Sequence, residues 1–176
     1  MQQLILTILL WLGFIVPPSP VQVERPIVNI PLACRESNWE TNSGSCVHAS
    51  MIALFRWQGR FGMAEYWRRA YGGGENPDGL VEKFERQKIR YAYVTNGDVS
   101  FLEWAVKTRR GCGVVVKGGS HMVCLLALDD KYACLLDNNR IEKFIWVPRE
   151  SFLAEWKASD GWAVTILYPP AAPLPY

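Results

Sequence analysis

Residues His121–Asn139 read HMVCLLALDDKYACLLDNN. Seven apolar residues follow the histidine, then the polar Asp129-Asp130-Lys131, then a second apolar run that ends at Asp137. Two such runs around a short polar turn spell an antiparallel hairpin. Its geometry folds residues 136–138 back beside His121. More strand-like runs flank it: IRYAYVT (89–95), CGVVVKG (112–118), KFIWVP (143–148) and WAVTILY (162–168).

Upstream the period is helical. From Cys46, the residues Val47, Met51, Leu54 and Phe55 fall on one stripe, which Gly59 ends. Met63–Ala70 forms a second helix that stops at GGG, and Leu80–Lys88 a third with Leu80, Val81 and Phe84 inward. Asp98 or Ser100 can cap a helix running to about Arg110. The stretch PRESFLAEW (148–156) is a short helix with proline at its start. N-terminal helices followed by antiparallel strands predict an α+β fold, with the helices packed on the sheet in two layers around one core.

The 176 residues suffice for one domain with a substantial core. Charged residues make up 20% and the formal net charge is +2, which gives no electrostatic basis for nucleic-acid binding. Bases and aromatics do interleave in Phe55-Arg56-Trp57 and Tyr66-Trp67-Arg68-Arg69; two amphipathic helices with solvated arginine faces account for both. The eight tryptophans are scattered, as expected of residues packing between helices and sheet.

Leu4–Val16 is a nearly unbroken apolar run, LILTILLWLGFIV. It is short for a membrane span and fits the hydrophobic region of an export signal. No Lys or Arg precedes it and no small-x-small cleavage site follows, so an uncleaved membrane anchor is the alternative. The expected organisation is therefore a signal or anchor at 1–20, a linker at 21–37, a folded domain at 38–168 and a proline-rich tail at 169–176. The protein is expected to be exported, to the periplasm or beyond, with membrane association through residues 4–16.

Five cysteines are present: Cys34, Cys46, Cys112, Cys124 and Cys134. None of their spacings is C-x-x-C, and there are only two histidines, so no metal or other cofactor is expected. Cys124 and Cys134 sit in apolar strands and read as core. Cys34 and Cys112 flank loops and could form a disulfide. Cys46 is different. It follows Gly44-Ser45 at the first turn of a helix, where unpaired N–H groups and the helix dipole favour a thiolate.

A nucleophilic thiol needs a base. His48 lies two residues along the same helix, roughly 200° round it, and cannot easily face Cys46. That leaves His121, at the mouth of an apolar strand. The third group belongs on the neighbouring strand: Asp137, accepting Nδ1–H of His121 and stabilising its imidazolium, or Asn138, orienting the ring without charge.

Cysteine at a helix start, histidine at a strand start and Asp or Asn at the end of the next strand is the order of the papain-like cysteine peptidases. GSC resembles their nucleophile motif, and HMVCLLALDDKYACLLDNN resembles their histidine and asparagine hairpin. The 75 positions from Cys46 to His121 are too few for papain itself and look more like the compact C39-like group, which includes leader-cleaving domains of bacteriocin exporters. The resemblance spans about Asn38 to Tyr168. It implies a C39-like cysteine peptidase with Cys46, His121 and Asp137 as catalytic triad and a peptide or protein as substrate. Three positions depart from the pattern. Glu40 stands six residues before Cys46, where the family places an oxyanion-donating glutamine. Val47 stands where papain has tryptophan, and the Asp-Cys-Gly signature common in C39 domains is absent. Asn42, or else Asn38, is the expected replacement donor, with Asn42 preferred. Glu40 also admits a peptidase-like module that grips peptides without cleaving them. A transferase or cell-wall amidase on the same framework is the other alternative, and a structural envelope protein a further one.

Overall fold

The computed structural model describes residues 25–39 and 44–169. The apolar run 4–16, Glu40, Asn42 and the tail beyond Pro169 lie outside the described residues, so the expectations placed on them are not addressed by it. Among the described residues no helix is long and apolar enough to cross a membrane.

Three helices come first: α1 (Cys46–Trp57), α2 (Phe61–Ala70) and α3 (Pro77–Arg86). Strand β1 (Tyr91–Val94) and helix α4 (Val99–Lys107) follow. Then come β2 (Cys112–Val116), β3 (His121–Leu128), β4 (Tyr132–Leu136), β5 (Ile145–Pro148), helix α5 (Arg149–Ala158) and β6 (Ala163–Ile166). The strands form one antiparallel sheet in the order β1-β6-β2-β3-β4-β5. The fold is α+β, as the element order predicts.

Local chemistry sets the boundaries. The Asn76 side chain accepts from the N–H of Gly79 with Pro77 at the first helical position, and Asp98 accepts from Ser100 N–H to start α4. At α5 the proline stands one step earlier than expected, in the capping position.

The expected two layers are in fact three. One apolar cluster joins Met51, Leu54 and Phe55 of α1 to Met122, Cys124 and Leu126 of β3. A second, on the opposite face, joins Leu102 and Val106 of α4 and Phe152 and Trp156 of α5 to Val114, Val123 and Leu125. All five residues of β2 and the first seven of β3 are buried, which is why these strands read as continuous apolar runs instead of alternating ones. Gly113 lets α1 sit directly on β2: a Cβ there would come within 2.7 Å of Met51 Cε and 2.8 Å of Met122 Sδ.

Two further expectations need correction. The segment 21–37 is not a linker over its described part. Val28 and Ile30 are fully buried, and the Val28 N–H donates to Leu126 O at 3.0 Å. The register of β3 and β4 shifts between Leu125 and Ala127, a bulge that leaves the Leu126 carbonyl for this outside partner. Nor is α1 an amphipathic surface helix, since every residue but Arg56 is buried. Arg56 is held between Glu36 and Glu65, each 2.9 Å away.

Behind α1, Trp67 of α2 is fully buried among Phe55, Tyr71 and Phe84, with ring centroids 5.4, 4.5 and 5.4 Å away. Its indole N–H donates to His48 Nδ1 at 3.2 Å. Removing so large a side chain from a close-packed site leaves a cavity that the neighbours fill only in part. Trp67→Ala is expected to lower unfolding free energy by about 3–5 kcal/mol, measured by denaturant titration, and Trp67→Phe by less.

Candidate active site

The first residue of α1 is Cys46, and the chain reaches it through a left-handed Gly44 (φ 68°), a conformation that disfavours a Cβ. Ser45 precedes the helix, but its hydroxyl does not cap it. Instead the hydroxyl accepts the Trp39 N–H at 2.9 Å and donates to Asn38 Oδ1. Cys46 Sγ accepts from the N–H of Met122 at 3.4 Å and interacts with the N–H of Val47.

His121 opens β3 and is 7% exposed. Its Nε2 lies 2.9 Å from Asp137 Oδ1. This corrects the expected ring orientation, in which Nδ1 faced the carboxylate. With Nε2 engaged, Nδ1 is the nitrogen left for the sulfur, which lines the same cleft. Asp137 Oδ1 also receives the N–H of Asn139 at 2.9 Å. The structure thus brings Cys46, His121 and Asp137 together. Asn138 makes none of the contacts to the ring: its amide donates to Cys46 O, Ser50 Oγ and Met122 O. Asn42 lies outside the described residues. Asn38, the alternative donor, is tied to Ser45 and, through Nδ2, to Asn139 Oδ1 at 3.3 Å.

His48 is fully buried and its Nδ1 is used by Trp67, in keeping with its exclusion as the base. Its Nε2 is 3.9 Å from Glu75 Oε2. Glu75 was not singled out from sequence. Its carboxylate is nearly buried, pairs with Lys83, and accepts the Asn76 N–H at 3.1 Å. These contacts pin the GGGE segment against the site. Gly74 and Glu75, Gly119 and Ser120 of the β2–β3 turn, Trp162, Cys46 and His121 line one cleft of about 130 Å³.

No family model matches the chain, and no curated protein matches it in sequence. Solved structures do match in shape. A C39-like peptidase of Bacillus anthracis superposes with a TM-score of 0.66 at 12% identity, over 84% of this chain and 98% of that one. A double-glycine-motif protease from an AMS/PCAT transporter gives 0.55 at 17%, over 86% and 98%. The peptidase domain of Streptococcus mutans ComA gives 0.51 at 14%, over 76% and 98%. This chain has the C39-like peptidase fold. At these identities the likeness is one of fold alone.

Within that C39-like framework, electrostatics separate Cys46 from the other thiols. Burial opposes ionisation of Cys46, but the neighbouring His121 and the N–H groups of Met122 and Val47 outweigh it, so its pKa falls below the ordinary value. For His121, burial alone would favour the neutral ring; Asp137 and Cys46 reverse this and raise its pKa from 6.5 to about 9. The bond to His121 holds the Asp137 carboxyl below the usual range despite burial. Burial pushes the other thiols up: Cys34 and Cys112 are raised, and Cys124 and Cys134 reach about 12. The Cys34–Cys112 disulfide that the sequence left open is not formed; all five cysteines are free, and Cys112 is sealed inside β2. Iodoacetamide is therefore expected to label Cys46 first. The thiolate forms as pH rises through the lowered Cys46 value, so labelling should rise with a midpoint below that of Cys34. His121→Ala should move that midpoint up by at least roughly one pH unit, read by mass spectrometry of the labelled chain.

Proposed function

We propose that the protein is a cysteine peptidase or amide hydrolase in which Cys46, His121 and Asp137 act as a triad. The observation that carries this reading is the single imidazole that is bonded to Asp137 through Nε2 and shares one cleft with Cys46. The C39-like fold supports it, and the transporter protease of that fold was solved with a leader peptide bound. A peptide or protein is accordingly the proposed substrate.

The chemistry follows from the charges. The Cys46 thiolate attacks the amide carbonyl carbon, forming a C–S bond and an oxyanion. The oxyanion takes hydrogen bonds from the Cys46 backbone N–H and from a side-chain amide, for which Asn42 is the proposed donor. As the C–N bond breaks, the His121 imidazolium gives its proton to the leaving amine. The neutral ring then takes a proton from water, which attacks the thioester and releases the acid and the thiolate. Asp137 stays ionised throughout and steadies the imidazolium through Nε2. The apolar run 4–16 supports the further proposal of an exported, membrane-associated protein.

Turnover is to be measured on casein, on peptidoglycan fragments and with an amine acceptor. Casein cleavage that vanishes in Cys46→Ala and His121→Ala and falls by up to about ten-thousandfold in Asp137→Asn is the expected result. Because turnover needs both thiolate and imidazolium, the rate should climb through the lowered Cys46 pKa and fall again near pH 9 as His121 deprotonates. Amine incorporation or peptidoglycan cleavage in place of proteolysis would reassign the chemistry. Peptide binding without turnover would make the domain a recognition module.

A further inference from the structure

Cys46 and His121 sit on different elements, a helix start and a strand start. Their separation therefore depends on what ties α1 to β3. The residue that makes this tie is Asn138, just past β4 and 4% exposed. Its Nδ2 lies 3.1 Å from the carbonyl of Cys46 and 2.8 Å from the carbonyl of Met122, the residue after His121. It also lies 3.2 Å from Ser50 Oγ, one helical turn beyond Cys46, and that hydroxyl donates to Met122 O at 3.3 Å. A single amide thus bridges the backbone of the thiol residue to the backbone beside the imidazole.

The orientation of this amide is fixed by its partners. Turned over, it would set Oδ1 against two carbonyl oxygens, which only repel it. As it stands, Oδ1 is buried and accepts no hydrogen bond among the described residues. A buried acceptor left unpaired costs stability that an apolar side chain would not incur. The position is built around the donor. The backbone carbonyl of Asn138 also accepts the N–H of Asn38 at 2.8 Å, so the segment leading to the nucleophile hangs from the same residue.

We propose that Asn138 is a positioning residue that sets the distance between the Cys46 sulfur and the His121 ring. It rests on the reading of those two as the reacting pair. Small displacements between reacting groups have large effects on reactivity, so loosening the tie weakens the ion pair while the fold persists.

The test compares iodoacetamide labelling of Cys46 against pH in the full wild-type chain, Asn138→Ala and Ser50→Ala, with thermal unfolding of each. In Asn138→Ala the labelling midpoint should rise by about one pH unit, a roughly tenfold slower reaction below the midpoint, with the high-pH plateau unchanged. Ser50→Ala, which removes one of the three partners, should show a smaller rise. A folded Asn138→Ala chain that keeps the wild-type midpoint, whatever its melting temperature, overturns the inference. Should that variant fail to fold, an unchanged midpoint in Ser50→Ala overturns it instead. A wild-type Cys46 that titrates like an ordinary thiol overturns the reacting pair itself, and this inference with it.

Discussion

The bond from His121 Nε2 to Asp137 Oδ1 joins residues sixteen positions apart, and much of the architecture serves to make it. The β3–β4 pairing runs Cys124 to Leu136, so the chain leaving β4 returns beside the start of β3. Asp137, Asn138 and Asn139 sit at that return. The first holds the imidazole, the second holds the helix that carries the thiol, and the third donates its N–H to the first. A carboxylate at Nε2 raises the proton affinity of the ring, and a ring that keeps its proton stabilises a thiolate beside it. The low Cys46 pKa and the high His121 pKa are two sides of one interaction.

Much of this was legible in the sequence. The α1 start follows from Gly44-Ser45-Cys46, where a left-handed glycine precedes the first helical turn. The central strands follow from long β-branched and leucine-rich runs. The exclusion of His48 followed from helical periodicity alone, and the structure gives that residue to Trp67. Other features had no local signature. Val28 and Ile30 stand two residues apart among prolines, too short a pattern to mark a segment docked on the sheet. The third layer was hidden because α4 and α5 look the same whichever face they cover. The uniform burial of β2 and β3 was the available clue to it.

The site shows the same division. Residue types and order pointed to Cys46 and His121, with Asp137 or Asn138 as the third member, but which ring nitrogen meets the carboxylate depends on strand geometry that no spacing encodes. Asn138 read as a rival to Asp137 because both fit the same chemical role. They are separated only by side-chain direction, one amide reaching into the helix–strand junction and one carboxylate reaching the ring. Glu75 belongs to a glycine-rich turn whose place against the cleft is decided by its pairing with Lys83, a tertiary contact.

The account stands on an imidazole that stays protonated at neutral pH. With only two histidines in the chain, the ring resonances of His121 can be followed by NMR through a pH titration. The account predicts an imidazolium that persists at neutral pH and gives up its proton near pH 9. A His121 ring that titrates near its ordinary value of 6.5 would contradict it, because no ion pair with Cys46 would then exist at the pH where the thiol must react.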